Sequence, residues 1–423
     1  MVALRHLIKE YIGGGWGKEA PDREHVVPAY VIRGTDLAAV QSGTVSGVPS
    51  RWHKLSNARS RTLLPGDIVF EVSGGSKEQP VGRSILLDGH RLGQFQTAVI
   101  PASFCKKIRP DSDKIHSRFL LAHLQLAWLD RRIVRWQVQS TGISNFKFEA
   151  FLDDFLIDLP PLAIQLRIAG ILSAYDELIE NSQRRIRILE AMARALYREW
   201  FVHFRFPGHD TVPRVPSPLG EIPQGWEVKT VGESFVISGG GTPSRKEEAF
   251  WKGGTIQWYS PSDLTGAGTM FMDDSSDHIT ERGLAQSSAR MFPARSVMLT
   301  SRATIGAIAI NTEPACTNQG FITCLPNERV PLYFLFHWLT ENVPTFQRMA
   351  SGATFKEISR GVFKTIDFLQ PPDTLVGQFE AAVTPMAEQA LALQRQIQTL
   401  RRTRDLLLPR LLSGQIDVET LAS

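Results

Sequence analysis

The chain has 423 residues, with 47 lysines and arginines against 43 aspartates and glutamates, so its formal net charge is +4. This length exceeds what one hydrophobic core normally supports and suits two globular modules of about 150 residues, while the mildly basic balance allows a nucleic-acid partner without requiring one. No apolar run reaches the ~18 residues that a membrane-spanning helix needs, and three cysteines without a Cys-x-x-Cys pair predict reduced thiols in a cytoplasmic protein without a membrane partner.

The first module begins at Met1. Short apolar runs bounded by glycine or proline predict strands at 68–70 and 84–87, and apolar residues at helical spacing predict a helix over 119–134. Pro160-Pro161 closes the module, because residues before proline avoid helical geometry and proline suits the first turn of a helix. A long helix with seven-residue apolar spacing is therefore expected from 162 to 201.

The next segment, 206–223, contains five prolines and two glycines and predicts a linker. The second module then repeats the order of the first. Strands are predicted at 297–299 and 307–310 and a helix at 332–346. Pro371-Pro372 precedes a second long helix, expected over 374–412.

Both long helices carry an apolar seam in the same register, 211 residues apart, as Leu172 and Val383 are. A helix of about 60 Å with such a seam needs a partner, so an antiparallel intramolecular pair is the economical prediction. Separate packing of each helix on its own module stays open, and Arg404 interrupts the seam. The predicted seam residues are Leu172, Tyr175, Ile179, Ile186, Leu189, Leu196, Val383, Met386, Leu393, Ile397, Leu400 and Leu407.

The β-rich parts are also related, with Gly13-Gly14-Gly15 answering Gly239-Gly240-Gly241. Loops differ in length while the order of elements is kept, which indicates two recognition modules of different specificity. The predicted fold class is α+β, with two mixed β-rich globular modules separated by a long antiparallel two-helix coiled coil. The predicted boundaries are 1–158 for module one, 159–205 for the central helix, 206–223 for the linker, 224–369 for module two, 370–415 for the distal helix and 416–423 for a tail.

Catalytic patterns are missing from the sequence. The run Gly13 to Lys18 does not have phosphate-loop spacing, no Gly-x-Ser-x-Gly elbow occurs, and the histidines and cysteines lack zinc spacing. We therefore predict no catalytic residue, no metal site and no cofactor in this chain. The pattern favours a protein that binds rather than one that catalyses.

Cations lie beside hydroxyl or aromatic residues in several loop-like stretches, where Arg, Lys and Ser can hold phosphates and Arg and Asn can read base edges. Each cluster alone could equally be a solvated turn. These stretches are Arg51-Trp52-His53-Lys54, Arg59 with Arg61, Ser244-Arg245-Lys246 and Ser301-Arg302.

Taken in order, the motifs resemble those of the specificity subunit of type I restriction-modification systems over nearly the whole chain. The first module differs from the second in lacking the entry string Ile222 to Glu227, so its first strand could be shorter. The similar strings are Ser73-Gly74-Gly75, Gln79 to Arg83, Leu159-Pro160-Pro161 with Gln165 and Ile168, Gly240 to Ser244, Thr300 to Gly306, Asn318 to Phe321, Gly352 to Ser359, and Gln370-Pro371-Pro372 with Gln378.

This resemblance implies a non-catalytic reader of double-stranded DNA whose modules are target-recognition domains. Each domain would enter the major groove at one half of a bipartite, asymmetric site, with the helices setting the spacing. Two methyltransferase subunits and the restriction-translocase subunits would bind the chain. S-adenosylmethionine, ATP and magnesium would belong to those partners, and the methyltransferase would flip its target base.

We expect DNA contacts from polar side chains in glycine-bounded loops that occupy matching places in the two copies. In the first domain these are Ser73, Lys77, Arg83, Asn145 and Lys147, and in the second Ser244, Arg245, Ser301, Arg302, Asn318, Gln319 and Lys356. Two other function classes remain open at this point. The chain could be a coiled-coil assembly adaptor that does not bind DNA, or an enzyme whose site has no recognisable motif.

Overall fold

The computed structural model describes residues 1–75, 79–140, 143–352 and 356–420. The chain forms two compact units, one made of residues 1–184 and 395–423 (unit 1) and one made of residues 185–394 (unit 2). Both are mixed α/β. The division falls inside two long helices, α6 (Leu162–Tyr197) and α12 (Asp373–Leu412), which we number within the full chain order given below.

Unit 1 contains short strands, short helices and 3₁₀ turns at Leu4–Leu7, Gly34–Asp36 and Arg132–Trp136. Its strands are β1 (Val2–Ala3), β2 (Ile8–Gly13), β3 (His25–Ile32), β4 (Ser50–Lys54), β5 (Ile68–Glu71), β6 (Ser73–Gly74), β7 (Ser84–Leu86), β8 (Ala98–Pro101), β9 (Cys105–Pro110), β10 (Gln137–Ser140), β11 (Ile143–Phe146) and β12 (Leu156–Ile157). Its helices are α1 (Leu37–Gln41), α2 (Leu55–Arg61), α3 (Gly89–Leu92), α4 (Ser117–Leu129), α5 (Phe148–Asp154) and the first part of α6.

Unit 2 has the same kinds of element, with 3₁₀ turns at His209–Thr211 and Glu248–Phe250 and a π-helical turn at Arg198–Val202. Its strands are β13 (Arg214–Ser217), β14 (Gly220–Pro223), β15 (Glu227–Thr230), β16 (Val236–Gly239), β17 (Ile256–Tyr259), β18 (Phe271–Met272), β19 (Asp277–Ile279), β20 (Val297–Thr300), β21 (Ile308–Asn311), β22 (Ala315–Thr317), β23 (Phe321–Leu325) and β24 (Asp367–Gln370). Its helices are α7 (Val231–Ser234), α8 (Pro261–Ala267), α9 (Glu281–Ala285), α10 (Leu332–Met349), α11 (Arg360–Lys364) and the first part of α12.

The two units share one sheet topology. Unit 1 has a sheet of order β2-β9-β5-β7, and unit 2 has the matching order β16-β23-β20-β21, extended by β18. A second sheet has the order β4-β3-β8 in unit 1 and β19-β17-β22 in unit 2, each with one antiparallel and one parallel pair. The internal repeat expected from the sequence is therefore present in the strand order of the two units.

The apolar runs form the central strands because both faces of those strands are covered. All four residues of β5 and of β20 are buried, which accounts for their lack of polar alternation. The predicted helix over 119–134 is shorter than expected: α4 ends at Leu129. The chain turns there because Arg131 adopts a left-handed conformation, φ 61°, before the 3₁₀ turn.

In each unit, a polar side chain of a long helix accepts hydrogen bonds from the backbone at the start of a shorter helix. In unit 1, Gln165 of α6 accepts a hydrogen bond from the backbone N–H of His116 at the start of α4, 2.8 Å away. In unit 2, Glu380 of α12 accepts from the backbone N–H groups of Tyr333 and Phe334 at the start of α10, at 3.0 and 3.1 Å. These contacts satisfy N–H groups that a helix cannot bond internally.

Segments of both long helices contribute to each core. In unit 1, Leu172 of α6 belongs to the same cluster as Leu408 and Leu411 of α12. In unit 2, Tyr197 near the end of α6 packs on Phe379 of α12, with ring centroids 5.7 Å apart. All of the predicted seam residues are buried or half-buried. Each long helix therefore packs partly against the other long helix, within unit 1 and within unit 2.

The segment predicted to be a linker has a defined structure. Residues Arg214–Ser217 and Gly220–Pro223 form an antiparallel hairpin, and Phe206 and Ile222 are buried in the core of unit 2. The prolines are compatible with this hairpin. Each of its two strands has a free outer edge, where a residue without an N–H group leaves no ladder hydrogen bond unmade.

Candidate nucleic-acid interface

A glycine stretch at the end of β16 in unit 2 lies directly against the end of β22. A methyl group at Gly240 would lie 2.0 Å from the carbonyl oxygen of Asn318 and 2.3 Å from that of Thr317, closer than any side chain could approach. The next residue, Gly241, donates its N–H to the Thr317 carbonyl at 2.8 Å. Glycine is needed here so that the two backbones can meet.

This close approach gathers several predicted contact residues into one loop cluster. Gln319 accepts a hydrogen bond from the Thr242 hydroxyl at 2.6 Å, and Asn318 Oδ1 accepts from the Gly320 N–H at 2.8 Å. The N–H of Ser301 donates to the Gly320 carbonyl at 2.8 Å. Ser301, Asn318 and Gln319, which belong to different strand connections, are thus neighbours.

Arg302 and Lys356 extend the same cluster toward solvent. The Arg302 Nε lies 3.4 Å from Glu357 Oε2, and both side chains are about half exposed. Lys356 is exposed, and its carbonyl accepts the N–H of Ala303 at 3.0 Å. Ser301, in contrast, is only 2% exposed, so its hydroxyl does not face solvent as Arg302 and Lys356 do.

Ser244 and Arg245 occupy an exposed loop that is fixed to the glycine stretch by two tryptophans. Trp258 donates its Nε1–H to the carbonyl of Gly241 at 2.9 Å, and Trp251 donates to the carbonyl of Ser244 at 3.0 Å. The guanidinium of Arg245 stacks on the Trp251 ring. Aromatic packing therefore gives this loop a defined position beside the cluster.

Unit 1 repeats the glycine contact with different neighbours. A methyl group at Gly14 would lie 2.1 Å from the carbonyl oxygen of Ala102 and 2.2 Å from that of Pro101, and Gly15 donates its N–H to Pro101 at 3.0 Å. Equivalent strands make this contact in both units: β2 and β8 in unit 1, and β16 and β22 in unit 2. The loops that follow are thus presented at equivalent places although their sequences differ.

Of the contact residues predicted in unit 1, Ser73 and Asn145 meet directly. They are paired in the register of β6 and β11, and the Ser73 hydroxyl donates to Asn145 Oδ1 at 2.9 Å. Ser73 is buried, whereas Asn145 is exposed, as is Lys147 at the start of α5. Lys77 lies outside the described residues.

Arg83 is held by an internal ion pair that the sequence did not indicate. Its Nε and Nη2 donate to the two carboxylate oxygens of Glu71 at 2.9 and 2.6 Å, and the Glu71 side chain is almost fully buried. These hydrogen bonds raise the pKa of Arg83 above its ordinary value. A buried carboxylate needs such a partner, so the guanidinium serves the fold at this position.

Arg51 and Arg61, which belong to the cationic stretches noted in the sequence but not to the predicted contact residues, lie beside the glycine stretch of unit 1. They were expected in loops, but Arg51 is in strand β4 and Arg61 ends helix α2. Arg61 donates from Nε to the carbonyl of Gly13 at 2.9 Å, and Arg51 lies over the ring of Trp16, 4.9 Å from its centroid. The sequence contained a pattern that could have indicated this site. Aligning Gly13–Gly15 with Gly239–Gly241 places Trp16 in the loop equivalent to that of Thr242.

Neither a metal site nor a membrane span is found in the described part of the chain. No group of three or more His, Cys, Asp or Glu side chains is arranged to hold a metal ion among residues 1–75, 79–140, 143–352 and 356–420. Within those same ranges, none of the helices combines the length and apolar character required to cross a bilayer.

Comparison with known proteins places these features in a family. A family model described as the type I restriction modification DNA specificity domain matches twice, at residues 62–191 and 223–374. The MjaIX specificity subunit of a type I restriction enzyme from Methanocaldococcus jannaschii is 35% identical over 158 residues, which is 37% of this chain and 36% of that protein. The chain therefore spans about a third of that relative's length in the alignment.

A second relative and a solved structure cover more of the chain. The putative MjaX specificity subunit of the same organism is 24% identical over 372 residues, covering 85% of this chain and 80% of that protein. The crystal structure of a type I restriction-modification S subunit from M. genitalium aligns with a TM-score of 0.57 at 15% identity, covering 97% and 95% of the two chains, and so shares the fold. With two matches that together span more than half of its residues, the chain belongs to the type I restriction modification DNA specificity domain family.

Proposed function

We propose that this chain is the DNA sequence-recognition subunit of a type I restriction-modification complex and that it reads a bipartite, asymmetric site. The observation that carries the proposal is the pair of glycine contacts, Gly14 on Pro101-Ala102 and Gly240 on Thr317-Asn318. Equivalent strands present loops of different sequence at equivalent places in two units. Two such surfaces are suited to reading two unlike half-sites.

The chemistry of the loop cluster in unit 2 fits this role. Arg302 and Lys356 are exposed cations that can contact phosphates, and Asn318 and Gln319 carry amides that can read base edges. Methyltransferase and restriction subunits would supply the chemistry, together with S-adenosylmethionine, ATP and magnesium. In this proposal two methyltransferase subunits and the restriction subunits bind the chain.

We infer that α6 and α12 form an antiparallel coiled coil that sets the spacing of the half-sites. The helix contacts support this, because early α6 (Leu172) packs with late α12 (Leu408), whereas late α6 (Tyr197) packs with early α12 (Phe379). The pairing order is reversed, as an antiparallel arrangement requires. A helix of 40 residues such as α12 is about 60 Å long, which is enough to bridge successive turns of DNA.

The test uses the chain co-expressed with its methyltransferase. Mapping methylated positions by single-molecule sequencing should return one bipartite motif with unlike halves. Arg302→Ala and Lys356→Ala should weaken binding, and loss of a phosphate contact should also lower the salt dependence of binding by about one charge. Arg329→Ala is the matched control, because Arg329 is an exposed, ion-paired arginine close to Asp373 at the other end of the β16–β23 pair.

Three outcomes would contradict the proposal. No shift of any duplex by the complex would favour an assembly adaptor. Methylation or cleavage of DNA by the purified chain alone would show an enzyme. Unchanged binding of Arg302→Ala and Lys356→Ala at several salt concentrations would remove those two residues from the interface.

A further inference from the structure

An arginine in unit 2 is held between an indole ring and a carboxylate. The Arg245 Cζ lies 3.6 Å from the centroid of the Trp251 ring and 5.0 Å from that of Trp258, and Nη2 is 2.5 Å from Asp277 Oδ2. The two indole rings pack edge to face, 5.1 Å apart. Stacking fixes the plane of the guanidinium, and the carboxylate fixes its direction within that plane.

The orientation leaves hydrogen-bonding capacity directed at solvent. Asp277 binds Nη2, and neither Nη1 nor Nε of Arg245 has a hydrogen-bond partner among the residues that the structure describes. The Arg245 side chain is 52% exposed although its position is defined. Its loop also adjoins the cluster of Asn318 and Gln319 through the Trp258 bond to Gly241. An exposed but fixed guanidinium is what recognition of a ligand requires, because little rotamer freedom is then lost on binding.

Unit 1 has the same combination of side chains at the corresponding place. Arg51 lies over the Trp16 ring at 4.9 Å, and its Nη2 is 3.2 Å from Glu19 Oε1. Its Nη1 also donates to the Ser50 carbonyl at 3.2 Å, and the side chain is only 20% exposed. Trp16 directly follows the glycine stretch of that unit. Here the arginine comes from strand β4 and the acid from the loop, whereas in unit 2 the arginine comes from the loop and the acid from β19. Both Nη groups of Arg51 are therefore engaged within unit 1, whereas Arg245 keeps Nε and Nη1 available to a ligand.

The neighbouring acid distinguishes two kinds of DNA contact. A phosphate approaching Arg245 would be repelled by Asp277. The N7 and O6 atoms of guanine are neutral acceptors, and a planar guanidinium binds both at once in the major groove. Building on the proposed function, we propose that Arg245 reads a guanine in one half-site, with Trp251 and Asp277 as positioning residues.

The experiment selects binding sites from random duplexes with the methyltransferase-bound complex. The wild-type motif should contain a guanine that Arg245→Ala no longer selects, with a loss of roughly 5- to 100-fold in affinity for the wild-type site. Replacing that guanine with 7-deazaguanine, which lacks the N7 acceptor, should weaken the wild type and leave Arg245→Ala unaffected. Arg329→Ala, which removes an equally exposed ion-paired arginine, should keep the complete motif.

The positioning residues are tested in the same selection. Asp277→Asn and Trp251→Leu should relax the preference for guanine at that one position, and Trp251→Phe should restore it because phenylalanine also offers a ring face.

Three results would overturn the inference. A wild-type motif that Arg245→Ala leaves unchanged would remove Arg245 as a base reader while leaving the proposed function intact. An equal loss of affinity by Arg245→Ala for all sequences would make it a phosphate contact. If the wild-type complex selects no motif at all, the proposed function fails and this inference fails with it.

Discussion

Replacing Arg404 with leucine should destabilise unit 1, although the change makes the seam more apolar. Arg404 of α12 lies 2.7 Å from Asp176 of α6, and the two side chains are 24% and 28% exposed. Leu172 and Leu408 are buried nearby. Removing the arginine leaves the Asp176 carboxylate half-buried without this partner, whereas removing both charges leaves a continuous apolar contact.

The magnitude follows from the geometry. Two unit charges about 4 Å apart attract by about 4 kcal/mol at an effective dielectric constant of 20 and by about 1 kcal/mol in water, and partial exposure puts this pair between those limits. Desolvation and lost rotamer freedom offset much of that attraction, and Asp405 also binds Arg404. We expect Arg404→Leu to cost about 2 kcal/mol of unfolding free energy, with a coupling of about 1 kcal/mol to Asp176. The double variant Asp176→Leu/Arg404→Leu should be as stable as the wild type or more so.

The assay is urea unfolding of the full chain, combined with hydrogen exchange to localise the effect to the early part of α6. The coupling is taken from the complete double-mutant cycle. The pair Glu199–Arg205, whose side chains are more exposed at 43% and 57% and whose hydrogen bonds are 2.6 and 2.7 Å, is the control and should show a smaller coupling. If Arg404→Leu alone stabilises the protein, or if the coupling is zero, the reasoning about this contact is wrong.

Two further predictions concern unit 2. Gly240→Ala should lower the free energy of unfolding by more than about 2 kcal/mol and weaken DNA binding, because its methyl group would lie 2.0 Å from the Asn318 carbonyl oxygen. The control is Gly266→Ala, which has open space around it and should be neutral or stabilising in the same unfolding and binding measurements. Burial lowers the pKa of His337 to about 4, so the unfolded chain takes up a proton first as the pH falls. The free energy of unfolding should therefore fall by about 3 kcal/mol as the pH drops from 6.5 to 4 and should not change from this cause above pH 6.5. His337→Phe should lack this pH-dependent loss of stability. Parallel pH profiles of the two proteins would contradict the explanation.

The sequence predicted the elements well where a local pattern was sufficient. The strand expected at 68–70 is β5, the strand expected at 297–299 is β20, and the long helices begin and end within a few residues of their predicted limits. The end of α4 was missed because it depends on the left-handed backbone of Arg131, which no apolar pattern reveals. The hairpin within 206–223 was missed because its prolines indicated a loop.

The site was predicted only in part. Asn318, Gln319, Arg302 and Lys356 come together, but Ser301 is buried, and the guanidinium of Arg83 is bound to Glu71. Residue type and glycine context identify a loop that can bind. They do not reveal which side chains a distant acid or a neighbouring strand has already engaged.

The sequence by itself determined the repeated order of elements, the two long helices and the register of their seams. These follow from short-range periodicity, which backbone geometry and burial set within a few residues. Tertiary structure decided that Arg404 meets Asp176 from 228 residues away, and that Arg245 meets Asp277 from 32 residues away. Such contacts depend on how separate elements pack together, and a charged side chain has no partner until that packing has brought one within reach.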